Sequence, residues 1–124
     1  MSNQQETALY LCTSGGENPE KASICLAMAS AAIALDIDTT IAFQGGGVYL
    51  ALKNYTDHVP AAGGFSPLKK LINDFTELGG KMLVCKPCME ERHIKDTDLF
   101  EGAEVTSGGT LNMIAIKSDI HLVY

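Results

Sequence analysis

The chain has 124 residues with 46% hydrophobic content, which suits one folded domain with its own core. Its formal net charge of −6 comes without any cluster of Lys or Arg, so nucleic acid and anionic membrane surfaces are not expected partners. The polar start lacks the basic and apolar segments of a signal peptide, and no apolar run is long enough to span a bilayer, so we expect a cytoplasmic protein.

Five short apolar runs predict β-strands. They lie at residues 8–12, 39–43, 82–85, 103–106 and 120–124. Helical segments alternate with them, which is typical of a parallel sheet covered on both faces. We therefore predict a single domain over residues 1–124, folded as a three-layer α/β/α sandwich with a mainly parallel five-stranded sheet. The strand order stays open.

The longest helical segment is predicted to begin at Pro19, with Asn18 as its N-cap, and to run to residue 35. It is apolar almost all round, so we expect it to be heavily buried. Cys25 lies inside this apolar helix and is therefore expected to be a small core residue. Four cysteines are too few for a disulfide scaffold, so structural disulfides are not expected. A last helix is predicted over residues 110–118.

Another helix, which is amphipathic, is predicted from Pro67, with Ser66 as its cap. Before it, residues 48–53 predict a short helix and residues 54–65 predict an apolar loop. A monomer would expose this loop and the nearly uncharged segment 45–52 to water, so we expect the protein to form an oligomer.

In a parallel sheet, all loops that follow the strands lie at one edge, where open α/β sheets bind ligands. These loops are residues 13–16, 44–47, the segment after Cys85, and 106–109. The first and last contain the sequence Thr-Ser-Gly-Gly. It predicts either tight strand-to-helix turns or an anion site made of backbone N–H groups.

Cys85 and Cys88 are the residues where we expect chemistry. Cys85 ends a predicted strand, and Cys88 lies one turn into the next helix, with Pro87 suited to its first position. Unpaired backbone N–H groups and the helix dipole favour thiolate there, so we expect the pKa of Cys85 to lie below the usual thiol value. The Cys-x-x-Cys spacing fits a redox pair, half of a zinc site or a sulfur-handling nucleophile, with two inert thiols as the alternative.

A zinc site made of Cys12, Cys85, Cys88 and His93 would require the first and third strands to be neighbours. Structural zinc sites usually have two tight ligand pairs, which this chain lacks, so no metal is predicted. The glycine run 45–47 lacks the third glycine and the acidic residue of a dinucleotide site, so no cofactor is predicted either.

The segment from Cys85 onward combines an apolar strand ending in a cysteine, an arginine two helical turns later at Arg92, an acidic stretch at 95–98, and a turn at 102–109 before the last helix. With residues 47–49 after the second strand, these features resemble the DsrE/DsrF-like sulfur-relay family over essentially the whole chain. That family includes subunits of the tRNA 2-thiouridine sulfur relay and of dissimilatory sulfur-oxidation complexes.

The resemblance implies a flavodoxin-like α/β sandwich, assembly into a homo- or hetero-oligomer such as a trimer or hexamer, and a persulfide on Cys85. It also implies that Arg92 is the partner of an anionic sulfur species. The expected partners are sulfur-donor and sulfur-acceptor proteins or small sulfur compounds.

The chain departs from the relay subunits by its second thiol. Cys88 could attack a Cys85 persulfide and release sulfide. Two further functions therefore stay open: a thiol-disulfide oxidoreductase that uses the Cys85/Cys88 pair, and a passive oligomeric ligand-binding module.

Overall fold

Strands and helices alternate along residues 5–124, the part of the chain that the computed structural model describes. The strands are β1 (Thr7–Cys12), β2 (Asp38–Phe43), β3 (Lys81–Cys85), β4 (Ala103–Thr106) and β5 (Ile120–Val123). The α-helices are α1 (Pro19–Ala34), α2 (Leu68–Glu77), α3 (Lys86–Glu91) and α4 (Gly108–Lys117). Short 3₁₀ helices lie at Gly45–Ala51, Tyr55–His58 and Asp96–Asp98. Within residues 5–124, no helix has the length and apolar character needed to cross a membrane.

The five strands form one sheet in the order β4-β3-β2-β1-β5, and every neighbouring pair is parallel. This confirms the predicted three-layer α/β/α sandwich and supplies the strand order that the sequence left open. The order differs from the 2-1-3-4-5 order of flavodoxin itself, because the chain reverses direction after β4 and not after β2.

The topology decides which helix covers which face. Right-handed crossovers that step from β1 to β4 in one direction place α1, α2 and α3 on the same face, and the return from β4 to β5 places α4 on the other. The main core includes Leu26 of α1, Phe43 of β2 and Phe75 of α2, all fully buried. A smaller cluster, which includes Leu9 and Leu111, lies beneath α4.

Helix α1 begins as predicted. The Asn18 side chain accepts a hydrogen bond from the backbone N–H of Lys21 at 3.2 Å, and Cys25 is fully buried. The expected heavy burial is found on one side of α1. Only the stripe that faces the sheet and α2 is covered, and Met28 on the other side is 40% exposed.

Helix α2 begins at Leu68, and Ser66 is not its cap. Pro67 is the N-cap residue, and its extended ψ of 147° keeps the helix from starting earlier. The short helix predicted at 48–53 is a 3₁₀ helix that starts earlier, at Gly45–Ala51.

The oligomer expectation was based on the loop 54–65 together with the segment 45–52. Most of residues 58–64 are exposed, as expected, but the segment 45–52 is not. Val48, Leu50 and Ala51 are fully buried in the main core, and Val59 anchors the following loop to it. The exposed large apolar side chains lie mainly elsewhere, and those of α4 and β5 are Met113, Ile116, Leu122 and Val123.

Candidate functional site

The carboxyl ends of β3 and β4 form the crevice at which the following helices diverge. Met89 of α3 packs into the main core, whereas Leu111 of α4 packs on the opposite face of the sheet. Cys85 and Thr106, the last residues of the two strands, are Cα partners in the parallel register. Open α/β sheets bind ligands at such a topological switch point, so Cys85 lies where this fold favours a site.

Cys85 is the N-cap residue of α3, so Lys86 and Pro87 occupy the first two helical positions. Pro87 is therefore one position later than predicted, but an N–H there would still have no helical partner. Cys85 and Cys88 are half-buried free thiols, and Cys88 lies close enough to Cys85 to affect the pKa of its thiol. The backbone N–H of Gly45 donates to Cys88 Sγ at 3.3 Å.

Burial raises the pKa of the Cys85 thiol, and the neighbouring Cys88 thiol raises it further. The backbone N–H of Cys88 and the positive charge of Arg92 act in the opposite direction without reversing the shift. The expected lowering of this pKa is therefore wrong in direction. Partial desolvation of the sulfur is the largest contribution, and it disfavours the charged thiolate.

Arg92 is the C-cap residue of α3, and its charge acts on the Cys85 thiol. Its Nη1 donates to the backbone carbonyl of Cys88 at 3.2 Å. Its guanidinium carbon lies 5.7 Å from the centre of the Tyr49 ring, within the range of a cation–π contact. The three residues predicted for the site, Cys85, Cys88 and Arg92, are thus brought together.

Cys12 and His93 do not join this group. Strand β2 separates β1 from β3, so the condition for the four-residue zinc site is not met, and residues 5–124 contain no group of three side chains placed to hold a metal. Cys12 is fully buried and donates to the backbone carbonyl of Ser14 at 3.5 Å. Interaction with the neighbouring Cys25 thiol lowers the pKa of Cys12 and raises the pKa of Cys25. His93 is exposed, in a left-handed backbone conformation with φ 56°.

The two Thr-Ser-Gly-Gly turns have different roles. In the first, the N–H of Gly15 donates to Glu17 Oε1 at 2.6 Å and the N–H of Gly16 donates to the Tyr55 hydroxyl at 2.8 Å. These two groups are therefore already used, which favours the tight-turn interpretation. In the second, Ser107 caps α4 by accepting from the N–H of Thr110 at 3.2 Å.

The 3₁₀ helix Gly45–Ala51 supplies two groups that the sequence analysis did not assign to the site. They are the N–H of Gly45 on the Cys88 sulfur and the Tyr49 ring beneath Arg92. The glycine-rich run directly after β2 is a signal for them, because the loop after β2 lies next to the loop after β3 when these strands are neighbours. The strand order was not known from the sequence, so this signal could not be interpreted.

Comparison with known proteins shows the family of this chain. Residues 7–124 match the model of the DsrE/DsrF-like family. Among curated proteins, the chain is 33% identical over 114 residues to the uncharacterized protein MJ0760 of Methanocaldococcus jannaschii, covering 90% of this chain but 40% of that protein. It is 32% identical over 101 residues to the uncharacterized protein MJ0989 of the same organism, covering 81% of this chain and 83% of that protein.

Solved structures of other proteins share the fold. The crystal structure of the ychN protein from E. coli matches with a TM-score of 0.78 at 17% identity, covering 98% of this chain and 100% of that chain. MTH1491, a protein of unknown function from Methanobacterium thermoautotrophicum, matches with a TM-score of 0.70 at 11% identity, covering 96% of this chain and 99% of that one. At these identities the likeness establishes the architecture alone.

Proposed function

Because the chain belongs to the DsrE/DsrF-like family, we propose that it is a sulfur carrier whose Cys85 accepts sulfane sulfur as a persulfide and passes it on. Membership of this family indicates a role related to sulfur metabolism. The persulfide on Cys85 is the more specific proposal, and it needs support from the geometry of the thiols.

The observation that carries the proposal is the contrast among the four thiols. Cys12 and Cys25 are fully buried, whereas Cys85 and Cys88 are half-buried at the carboxyl edge of the sheet. Cys85 alone ends a strand at the topological switch point. A sulfur donor can therefore approach Cys85 without unfolding the protein.

The chemistry balances without an added oxidant. For loading, the Cys85 thiolate attacks the sulfane sulfur of a donor, the donor's S–S bond breaks, and the remaining fragment leaves with the electron pair; from thiosulfate this fragment is sulfite. For transfer, an acceptor thiolate attacks the outer sulfur, and Cys85 leaves as a thiolate. The donor and acceptor are proteins or small sulfur compounds in this proposal.

Cys88 supports a second candidate function, a thiol-disulfide oxidoreductase. The Cys88 thiol lies close enough to Cys85 to raise the pKa of that residue. A Cys88 thiolate that attacks the inner sulfur of a Cys85 persulfide forms the Cys85–Cys88 disulfide and expels hydrosulfide. In this role the pair would cycle between dithiol and disulfide, and a reductant of the thiol class would restore it.

Intact-protein mass spectrometry after exposure to thiosulfate, polysulfide or a small persulfide tests the proposal. We expect the parent to gain one sulfur atom, Cys85→Ser to gain none, and Cys88→Ser to gain one and keep it longer because the resolving thiol is gone. Loading that survives in Cys85→Ser and disappears in Cys88→Ser would reverse the two roles.

The same spectra separate the two candidate functions. A stable gain of one sulfur on Cys85 supports the carrier. A reversible loss of two hydrogens, without retained sulfur and dependent on both thiols, supports the oxidoreductase. If neither variant differs from the parent, the thiols are passive and the third alternative, an oligomeric ligand-binding module, takes their place.

A further inference from the structure

Arg92 carries a positive charge that no carboxylate neutralises within residues 5–124. The ion pairs of this part of the chain are Lys69–Asp57 and Lys70–Asp74, and neither includes Arg92. A guanidinium has five N–H donors, and Arg92 uses one of them on the carbonyl of Cys88. Donors and charge therefore remain for a small anion beside the sulfurs.

Two stacked rings support this guanidinium. The ring centres of Tyr49 and Tyr55 lie 5.7 Å apart at an interplanar angle of 21°, and Arg92 lies on the Tyr49 ring at 5.7 Å. The Tyr55 hydroxyl accepts the N–H of Gly16, which fixes the outer ring to the loop after β1. The three side chains form one stack that is anchored at its far end.

The segment that carries Tyr49 also contacts the thiols. The 3₁₀ helix Gly45–Ala51 donates the N–H of Gly45 to Cys88 Sγ. Its other residues Val48, Leu50 and Ala51 are fully buried. A rigid element therefore fixes the ring relative to the sulfurs, and the ring in turn limits where the guanidinium can go.

We propose that Tyr49 is a positioning residue that holds the Arg92 guanidinium beside Cys85 and Cys88 as a recognition site for small anionic sulfur compounds. The proposal rests on the sulfur-carrier function and deepens it by naming the donor class as anionic. Lys86 adds a second positive charge, on an exposed side chain, at the start of α3. An exposed charge is screened by salt, so Lys86 is not expected to hold an anion in one place.

The test compares an anionic with a neutral alkylating reagent on Cys85. Iodoacetate and iodoacetamide both require the thiolate, so the ratio of their rate constants cancels the thiolate fraction and reports the local potential. The ratio is measured for Cys85 by peptide mass spectrometry in the parent, Tyr49→Leu, Tyr49→Phe, Arg92→Met and the double variant Tyr49→Leu/Arg92→Met. Lys117→Met, at the far end of α4, controls for the loss of one positive charge.

We expect Arg92→Met to lower the ratio by about three- to tenfold, as for unit charges several ångströms apart at a half-buried site. Tyr49→Leu should lower it nearly as much because the guanidinium is released to solvent, whereas Tyr49→Phe and Lys117→Met should keep the parent ratio. The double variant should match Arg92→Met. Salt at about 0.5 M should remove most of the difference between parent and variants.

Two results would overturn the proposal. If Arg92→Met keeps the parent ratio, the guanidinium does not recognise anions here. If Arg92→Met lowers the ratio but Tyr49→Leu keeps it, Tyr49 does not position the guanidinium. Should Tyr49→Leu fail to give the parent circular dichroism spectrum, Tyr49→Met, which retains more of the packed volume, is read in the same way. Because the ratio needs no sulfur transfer, it can fail while sulfur loading succeeds, and the reverse.

Discussion

Cys85 has surroundings that keep the proton on its sulfur. Its pKa is raised by burial and by the neighbouring Cys88 thiol, so the thiolate fraction at neutral pH is smaller than that of a solvated thiol. Reactions that start from the thiolate, alkylation and sulfur loading included, should therefore accelerate as the pH rises through this pKa.

We predict an alkylation midpoint for Cys85 above the usual thiol value of about 8.5. The measurement is the pH dependence of the iodoacetamide rate, resolved by residue, and Cys12 and Cys25 should stay unlabelled in the folded protein because they are fully buried. A midpoint below the usual value would mean that the amino end of α3 outweighs burial after all.

Thr106, the partner of Cys85 across β3 and β4, has a buried hydroxyl without a hydrogen-bond partner among residues 5–124. We predict that Thr106→Val raises the free energy of unfolding by about 1 kcal/mol, since an isosteric methyl replaces an unpaired polar group. The matched control is Thr39→Val, which removes a buried hydroxyl that donates to the carbonyl of Ile37 at 2.8 Å. It should lower the same free energy by about 1 kcal/mol.

Urea denaturation of the two variants is the measurement. Equal losses of stability in both would show that the Thr106 hydroxyl has a stabilising partner in solution. Sulfur loading of Thr106→Val adds a second readout, because a loss of loading with unchanged stability would assign the hydroxyl to the chemistry of Cys85.

The 3₁₀ helix Gly45–Ala51 is the element on which the site depends, and one close contact fixes it to the sheet. A Cβ on Gly47 would lie 2.1 Å from the carbonyl oxygen of Cys12, so only glycine lets this helix approach the end of β1. The same helix carries both the N–H that reaches Cys88 and the ring beneath Arg92.

We predict that Gly47→Ala lowers the free energy of unfolding by about 2 kcal/mol or more, because backbone must move to admit the methyl group. Gly108→Ala is the matched control: it lies in the first turn of α4 with open space at its Cβ position, and alanine favours helix, so stability should stay the same or rise slightly. Thermal and urea denaturation measure both. A neutral Gly47→Ala would contradict the close packing of this element.

At the scale of the whole molecule, the two faces of the sheet are covered unequally. Helices α1 and α2 cover one face, whereas α4 alone crosses the other and leaves a groove of about 400 Å³ beside it, with Leu83 and Ile114 among its lining residues. Met113 and Ile116 are 55% and 78% exposed on α4. This face, and not the segment 45–52, is where we expect another copy of the chain to pack.

We predict a mass above that of the monomer in light scattering at micromolar concentration. The double variant Met113→Asp/Ile116→Asp should lower the mass, because a stable interface of about 800 Å² per partner does not bury unpaired carboxylates. Leu35→Asp is the control, since Leu35 is 74% exposed at the end of α1, away from this face. A monomeric parent would remove the expectation of an oligomer.

The sequence alone determined the type and order of the main elements and the edge of the sheet at which Cys85, Cys88 and Arg92 lie. These features follow from local periodicity and from the rule that parallel strands end at one edge, so neither needs a long-range contact. The grouping of Cys88 and Arg92 with Cys85 follows in the same way from helical spacing.

Only the tertiary structure decided the strand order, the proximity of the free thiols Cys12 and Cys25, the raised pKa of Cys85 and the position of Tyr49 beneath Arg92. Each depends on which strands are neighbours and on how deeply a group is buried, and contacts between distant residues set both. The helix after Cys85 and the positive charge near it could be predicted from the sequence, and both favour the thiolate. The desolvation of the sulfur could not be predicted, and it raises the pKa of Cys85 because burial disfavours a charged group whatever the local sequence.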